Sequence, residues 1–263
     1  MILHQGLLAS GTRARGSCKD RCIALQISVI LVSTRNPLNI GAAARAMANF
    51  GVEDLRVVNP YEVAFREAVS AVGGAHVLRY ARVFESVAEA VADCSLVVGT
   101  TAAQRRELQQ PVEMLQTGIP PIRGHQGRVG LMFGSEKFGL SNEDMSFCHS
   151  LLSIPTSPDT PSMNLGQAVA VCLYELRRET EVVAGDAPVT RPTSVDAVEG
   201  VEAERLTKMM LEVLESSGYT NRITATSTEQ KIRRWIRRLR LSRRDTPLLL
   251  GILRQVLWKM NKR

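Results

Sequence analysis

Five short runs in the first 160 residues are almost wholly apolar and rich in branched side chains: ISVILVS (27–33), LRVVNP (55–60), SLVVGTTA (95–102), RVGLMFG (128–134) and LLSIPT (151–156). A strand with one wet face alternates apolar and polar residues, whereas a strand covered on both faces does not. These runs therefore constrain the chain to a sheet buried on two sides. Between them lie segments with helical spacing. AAARAMANFG (42–51) ends on Gly51, a natural C-cap, and SVAEAVADC (86–94) starts on a capping serine. FREAVSAVGG (65–74) and NLGQAVAVCLYELRRE (164–179) read as further helices, and VLRYARVF (77–84) as a short strand. Strands alternating with helices give an α/β class with a mostly parallel sheet and helices on both faces.

Residues 1–25 read as a disordered N-terminal extension, 26–180 as the α/β body, and 181–200, rich in proline and small residues, as a linker. A helical extension follows over 201–263, with helices expected at about 201–216, 228–241 and 246–260. Charge divides along the same line. Residues 201–263 hold 15 Lys+Arg against 6 Asp+Glu, a net of +9, whereas residues 1–200 hold 18 against 20, a net of −2. A nearly neutral body with a basic module points to nucleic acid or an anionic membrane surface as partner. No apolar run approaches the roughly 18 residues of a membrane span. The N-terminus lacks the charge pattern of a secretory signal. The five cysteines have no metal-ligand spacing, and Cys94, Cys148 and Cys172 sit in apolar contexts expected of buried free thiols. A cytoplasmic location is expected, and no metal site: the four histidines form no cluster.

In open α/β sheets ligands bind beyond the carboxyl ends of the strands. Four such ends carry unusual loops: NPLNIGAAAR (36–45), GTTA (99–102), GSEKFGLS (134–141) and IPTSPDTPSMNLGQ (154–167). The third lacks the endings of both a P-loop and a dinucleotide fingerprint, and its internal Glu136 is ill suited to polyphosphate. Each loop also has a plain helix-capping reading: Asn39 for the helix after it, Ser141 or Asn142 before EDMSF, and Asn164 before Leu165.

NPLNIGAAAR, LMFGSEKFGLSNED (131–144) and LLSIPTSPDTPSMNLGQAVAVCLYEL (151–176) together resemble, in order and spacing, the three motifs of the SpoU/TrmH-type (SPOUT) RNA ribose 2′-O-methyltransferases. The resemblance spans roughly residues 27–180. It implies S-adenosylmethionine as cofactor, a homodimer, and a C-terminal trefoil knot that topology rules alone would exclude. By motif, the cofactor contacts would be Thr100, Thr101, Ala102, Gly134, Ile154, Ser162, Met163 and Asn164. Met163 departs from the leucine usual there. The catalytic set would be Arg45, Asn39, Ser162, Asn164 and Glu136. Arg45 is the family's candidate base, but a guanidinium stays protonated, so an electrostatic clamp on phosphate and developing alkoxide is the more conservative role; a salt bridge at the dimer face is the plain alternative. Glu136 either takes a hydrogen bond from a ligand, orients the neighbouring loop, or pairs with a basic group.

The tail, GYTNRITATSTEQKIRRWIRRLRLSRRDTPLLLGILRQV (218–256), resembles the C-terminal extension of the bacterial branch of that family acting on nucleotide 32 of the tRNA anticodon loop. Within it Ile232, Trp235, Ile236 and Leu239 form an apolar stripe. Lys231, Arg234, Arg237 and Arg238 are then expected to meet tRNA phosphates, with Arg105 near the active site. A solvated face and a membrane-surface helix are the alternatives for this segment. For the whole chain, the alternatives are another tRNA position, rRNA, or a non-catalytic RNA-binding protein on the same fold.

Overall fold

The computed structural model describes residues 25–60, 74–102, 109–178, 196–220 and 224–262. The expected N-terminal extension, the helix at 65–74, Arg105 and most of the linker lie outside the described residues. The elements run β1 (Gln26–Val32), α1 (Pro37–Asn49), β2 (Asp54–Val58), α2 (Ala75–Arg79), β3 (Arg82–Phe84), α3 (Val87–Ala90) and β4 (Leu96–Thr101). They continue with β5 (Val112–Met114), α4 (Leu115–Arg123), β6 (Arg128–Phe133), α5 (Asn142–Ser146), β7 (Ser150–Ser153) and α6 (Leu165–Arg177). Three helices close the chain: α7 (Gly200–Ser216), α8 (Ala225–Leu239) and α9 (Asp245–Met260).

The sheet has seven strands in the order β3-β2-β1-β6-β4-β7-β5. Every adjacent pair is parallel. Two-sided burial explains the unbroken apolar runs. Val29 and Leu31 of β1 join one core cluster with α1, α4 and α6, while Ile30 and Val32 join another with α3 and α5. Each such side chain contributes roughly 1.5–3 kcal/mol by leaving water.

The structure redraws several expected boundaries. α1 begins at Pro37, with Asn36 rather than Asn39 as its cap: Leu38 N donates to Asn36 Oδ1 at 2.9 Å. Gly51 follows that helix at φ +65, as a C-cap there requires. The segment 77–84 is no continuous strand, for α2 occupies its first half. Gly74, at φ +76, opens α2 so close to α1 that a Cβ would stand 2.7 Å from Arg45 N. The helix expected over 86–94 is a single turn. β5 and α4 had no counterpart in the sequence reading, whereas α5 follows Ser141, one of the two caps read before EDMSF.

At the amino ends of the central strands, Arg56 is buried at 1% exposure and bridges Asp54 and Asp93. Asp54 also accepts from Ser28 Oγ at 2.5 Å, Arg82 at 2.8 Å and Arg128 at 2.9 Å. Burial alone would raise the Asp54 carboxyl, but the hydrogen bonds from Arg56, Ser28 and Arg82 and the charge on Arg56 outweigh it and hold it well below the usual range. Its folded pKa is depressed, so its contribution to stability is complete above the unfolded value of about 3.9 and is lost as pH falls below that. The stability gap between the native chain and an Asp54→Asn variant is therefore expected to shrink between about pH 5 and pH 2 in urea titrations. A gap independent of pH would contradict the network's role.

Cys94, Cys148 and Cys172 are buried free thiols. Burial pushes Cys94 and Cys172 up to about 12. None is poised as a nucleophile.

α7–α9 enclose a thin core of their own around Ala203, Leu206, Ile236, Leu250 and Leu253. A core of that size rarely stands alone, and the trio is tied to the body. Gly200 N donates to Cys94 O at 3.0 Å and Val201 N to Ala92 O at 2.9 Å. From α8, Arg233 lies over the Phe147 ring at 4.3 Å, donates to Ser146 Oγ at 3.2 Å, and meets both Glu204 oxygens at 3.1 and 3.0 Å. Arg237 reaches Glu204 at 3.3 Å, while its Nε and Nη1 make no hydrogen bond among the described residues. Burial pushes this guanidinium below its usual range, with Glu204 working against the shift.

This corrects the expected RNA face of α8. Arg237 is 1% exposed and Arg234 7%, so neither is presented to solvent, whereas Lys231 and Arg238 are exposed. The apolar stripe is also split: Ile236 is buried, Trp235 and Leu239 are 42% and 44% exposed. The cause is Glu204, a buried counter-charge on α7 that draws Arg233 and Arg237 to the inner side of α8.

Candidate active site

The four unusual loops leave β1, β6, β4 and β7, which are consecutive in the sheet. Parallel pairing puts all four carboxyl ends on one edge, at the point where the chain order reverses. The loops enclose a cleft of about 750 Å³. Its wall includes Asn39 from the first loop, Thr100–Ala102 at the end of β4, Gly134–Leu140 after β6, and Ile154, Thr156 and Pro161–Leu165 after β7.

Gly134 sits where the third loop is pinched. A Cβ there would lie 2.0 Å from Gly139 C and 2.1 Å from Leu140 N, both backbone atoms that cannot swing away. Above this neck, Gly139 N donates to Ser135 O at 2.8 Å and Phe138 N to Ser135 Oγ at 3.3 Å, with Gly139 at φ +65. The result is a closed turn that carries Glu136, Lys137 and Phe138 at its tip. Beyond it, Ser141 caps α5 in a reciprocal box with Asp144.

Glu136 holds the first loop. Its Oε1 accepts from Asn36 N at 3.3 Å and Asn39 Nδ2 at 3.0 Å, and Arg35 N lies 3.5 Å from Oε2. Asn39 Oδ1 in turn accepts from Asn164 Nδ2 at 2.8 Å. Asn164 Oδ1 caps α6, accepting from Gly166 N at 2.9 Å and Gln167 N at 3.4 Å. The backbone donors fix which end of Asn164 faces them, and so the direction of the whole relay from α6 through Asn39 to the carboxylate. Of the readings open for Glu136, orientation of the neighbouring loop is the one these hydrogen bonds support. Asn164 is both a cap and a part of the cleft.

All eight residues expected around the cofactor line this one cleft, as do Asn39 and Glu136. Arg45 does not: it is exposed, two turns into α1, outside its own chain's lining. Sequence reasoning missed Phe138, Met145 and Thr156 as wall residues. Phe138 was within reach, being inside a glycine-framed loop already singled out. Met145 comes from α5 and carries no local signal.

No helix among the described residues is long and apolar enough to cross a membrane, and no three His, Cys, Asp or Glu side chains among them gather as a metal group would need.

Comparison with known proteins adds to this geometry. The model of the SpoU rRNA Methylase family matches residues 26–174. A Haemophilus influenzae protein described as an uncharacterized tRNA/rRNA methyltransferase is 39% identical over 151 residues, 57% of this chain and 62% of that protein. A Pseudomonas aeruginosa protein described as tRNA (cytidine/uridine/adenosine-2′-O-)-methyltransferase TrmJ is 34% identical over 243 residues, 87% of this chain and 92% of its own length. The crystal structure of TrmJ from Z. mobilis ZM4 superposes with a TM-score of 0.75 at 31% identity, covering 87% of this chain and 98% of that one.

Proposed function

The chain belongs to the SpoU rRNA Methylase family, and from that membership we propose that it is an S-adenosylmethionine-dependent tRNA ribose 2′-O-methyltransferase. The target proposed is nucleotide 32, a cytidine or uridine of the anticodon loop. The observation that carries this reading is the convergence of three motif loops on one cleft, held in register by Glu136, Asn39 and Asn164. Relatives matched over most of their length carry the same activity in their names.

The cleft suits the cofactor. Its volume lies within the roughly 300–1,000 Å³ of small-molecule sites. Threonine and serine hydroxyls and backbone groups line it beside Phe133, Leu140, Ile154 and Leu165, and Lys137 is the one cation among the described residues of its wall. That set matches a nucleoside joined to an amino acid and offers little to polyphosphate. When bound, S-adenosylmethionine supplies a methyl group on a positively charged sulfur. Gly134 lets the backbone of the turn approach, and Thr100, Thr101 and Ser162 orient polar groups. A Gly134→Ala variant is expected to lose at least about ten-fold in cofactor affinity by calorimetry, since the pinched neck must open. Affinity within two-fold of native would remove the turn from the binding role.

The ribose 2′-hydroxyl must give up its proton as its oxygen attacks. Glu136 is assigned to holding the first loop, through Asn36 and Asn39, rather than to the base role. Arg45 acts as an electrostatic clamp on the developing alkoxide, with the proton released to water. Being outside its own cleft, Arg45 serves the cleft of a second copy in the homodimer that the family resemblance implies. The exposed Leu38 and Tyr174, on α1 and α6, support such an interface. The trefoil knot belongs to the same proposal, supported by the closure of the loops after β6 and β7 on one cleft. RNA contact is assigned to the extension over 201–263, through exposed Lys231 and Arg238, with residues 26–180 as the catalytic body. A cytoplasmic site of action follows from a tRNA substrate.

The test is methyl transfer from labelled S-adenosylmethionine to unmodified tRNA transcripts, with the modified ribose mapped. Label at nucleotide 32 supports the proposal. Label at another tRNA nucleotide or in rRNA keeps the chemistry and discards the target. Absence of label on any RNA refutes the enzyme reading. Arg45→Ala should abolish transfer and leave cofactor binding within a few-fold, whereas equal loss of both would refute the clamp.

A further inference from the structure

We propose that Phe138, with Lys137 beside it, is the platform on which the base of the methylated nucleotide stacks; this rests on the RNA methyltransferase reading above. A single exposed apolar side chain needs no explanation by itself. Phe138 is set apart by where it is and how it is held. It is 66% exposed, whereas Phe133 and Phe147 are buried and Phe50 and Phe84 are partly covered. It belongs to the wall of the cleft. Its turn is pinched at the neck by Gly134 and tied on one side to the first loop through Glu136. An aromatic ring on a braced turn loses little conformational freedom when a base lands on it.

The chemistry of the reaction places a base there. A 2′-hydroxyl entering the cleft brings its own nucleobase to the rim, because base and hydroxyl are carried by adjacent carbons of one ribose. A base of a single-stranded loop can be splayed out of its stack, and its flat apolar face then needs cover, which aromatic side chains supply. Lys137 Nζ lies 5.1 Å from the Phe138 ring centre and adds a positive charge close to the flanking phosphates. Stacking tolerates any base, since each has a π face. Phe138 therefore holds the nucleotide without choosing its identity.

The experiment combines the Phe138→Ala variant with two RNA substrates, one intact and one lacking the base at the methylated nucleotide. On intact RNA, Phe138→Ala should raise KM for RNA about ten-fold or more, with cofactor affinity within two-fold and Phe138→Trp close to native. On the abasic RNA, native enzyme and Phe138→Ala should converge. If the variant loses the same factor on both RNAs, or loses nothing on intact RNA, the stacking role is overturned. These outcomes require a native enzyme that methylates intact RNA; a native enzyme that does not is the separate failure of the function proposed above.

Discussion

Replacing Asn39 by alanine is expected to lower the rate of methyl transfer by about 10²-fold or more while the fold persists. Asn39 is partly exposed, so little packing is lost. What disappears is the link between Glu136 and Asn164, which ties the loop after β1 to those after β6 and β7. Each hydrogen bond contributes only about 0.5–1.5 kcal/mol net, somewhat more for the one to a carboxylate. That is too little to unfold the chain. The effect on rate is larger, because a displacement of about 1 Å in reacting groups costs on the order of 10²-fold. The discriminating variant is Asn39→Asp. It can still accept from Asn164, but sets a second carboxylate against Glu136. Its rate should be at least as low as that of the alanine variant, with the loss in kcat. Activity above a tenth of native in Asn39→Asp would sink the relay.

The second large effect concerns stability. Glu204→Ala is expected to destabilise the chain by about 3–5 kcal/mol. Glu204 is 9% exposed and is the buried acceptor for Arg233 and Arg237. Without it two guanidinium groups remain in the interior, one of them already lacking partners for Nε and Nη1. For a chain of this size the loss corresponds to a fall of roughly 10 °C in Tm. The triple replacement Glu204→Leu, Arg233→Met, Arg237→Met removes Glu204 and both its partners together, leaving only the half-exposed Glu229 unpaired, and should be near neutral or stabilising. Calorimetry on both variants separates the cases. A Glu204→Ala chain melting within a degree or two of native would mean that the arginines find water when their partner is gone.

The same residues mark how far the sequence could be read. β1, β2, β4, β6 and β7 were legible because burial on both faces writes itself as unbroken apolar runs. β5 was not: Val112–Met114 is three residues long, partly exposed, and exists by pairing with β7. α4 hid behind Pro120 and Pro121, which read as breakers. The cleft was legible as three motifs and the GTTA strand end, and the residues expected around the cofactor do share one wall. Its internal wiring was not legible, because Glu136 meets Asn39 across 97 residues and Asn164 meets Asn39 across 125. The inner face of α8 failed for the same reason. Apolar periodicity pointed one way, and a glutamate on another helix pulled two arginines in.

The burial of those arginines changes how the basic tail would behave towards a polyanion. Each lysine or arginine that meets a phosphate frees a counterion condensed on the nucleic acid, and the slope of affinity against salt counts such meetings. Arg233 and Arg237 are spent inside the protein, and Arg243 and Arg244 are paired with Glu199 and Asp196. A tail that holds 15 Lys+Arg thus offers phosphate fewer cations than that count implies. Its grip on RNA would weaken less steeply with ionic strength than a count of its arginines suggests.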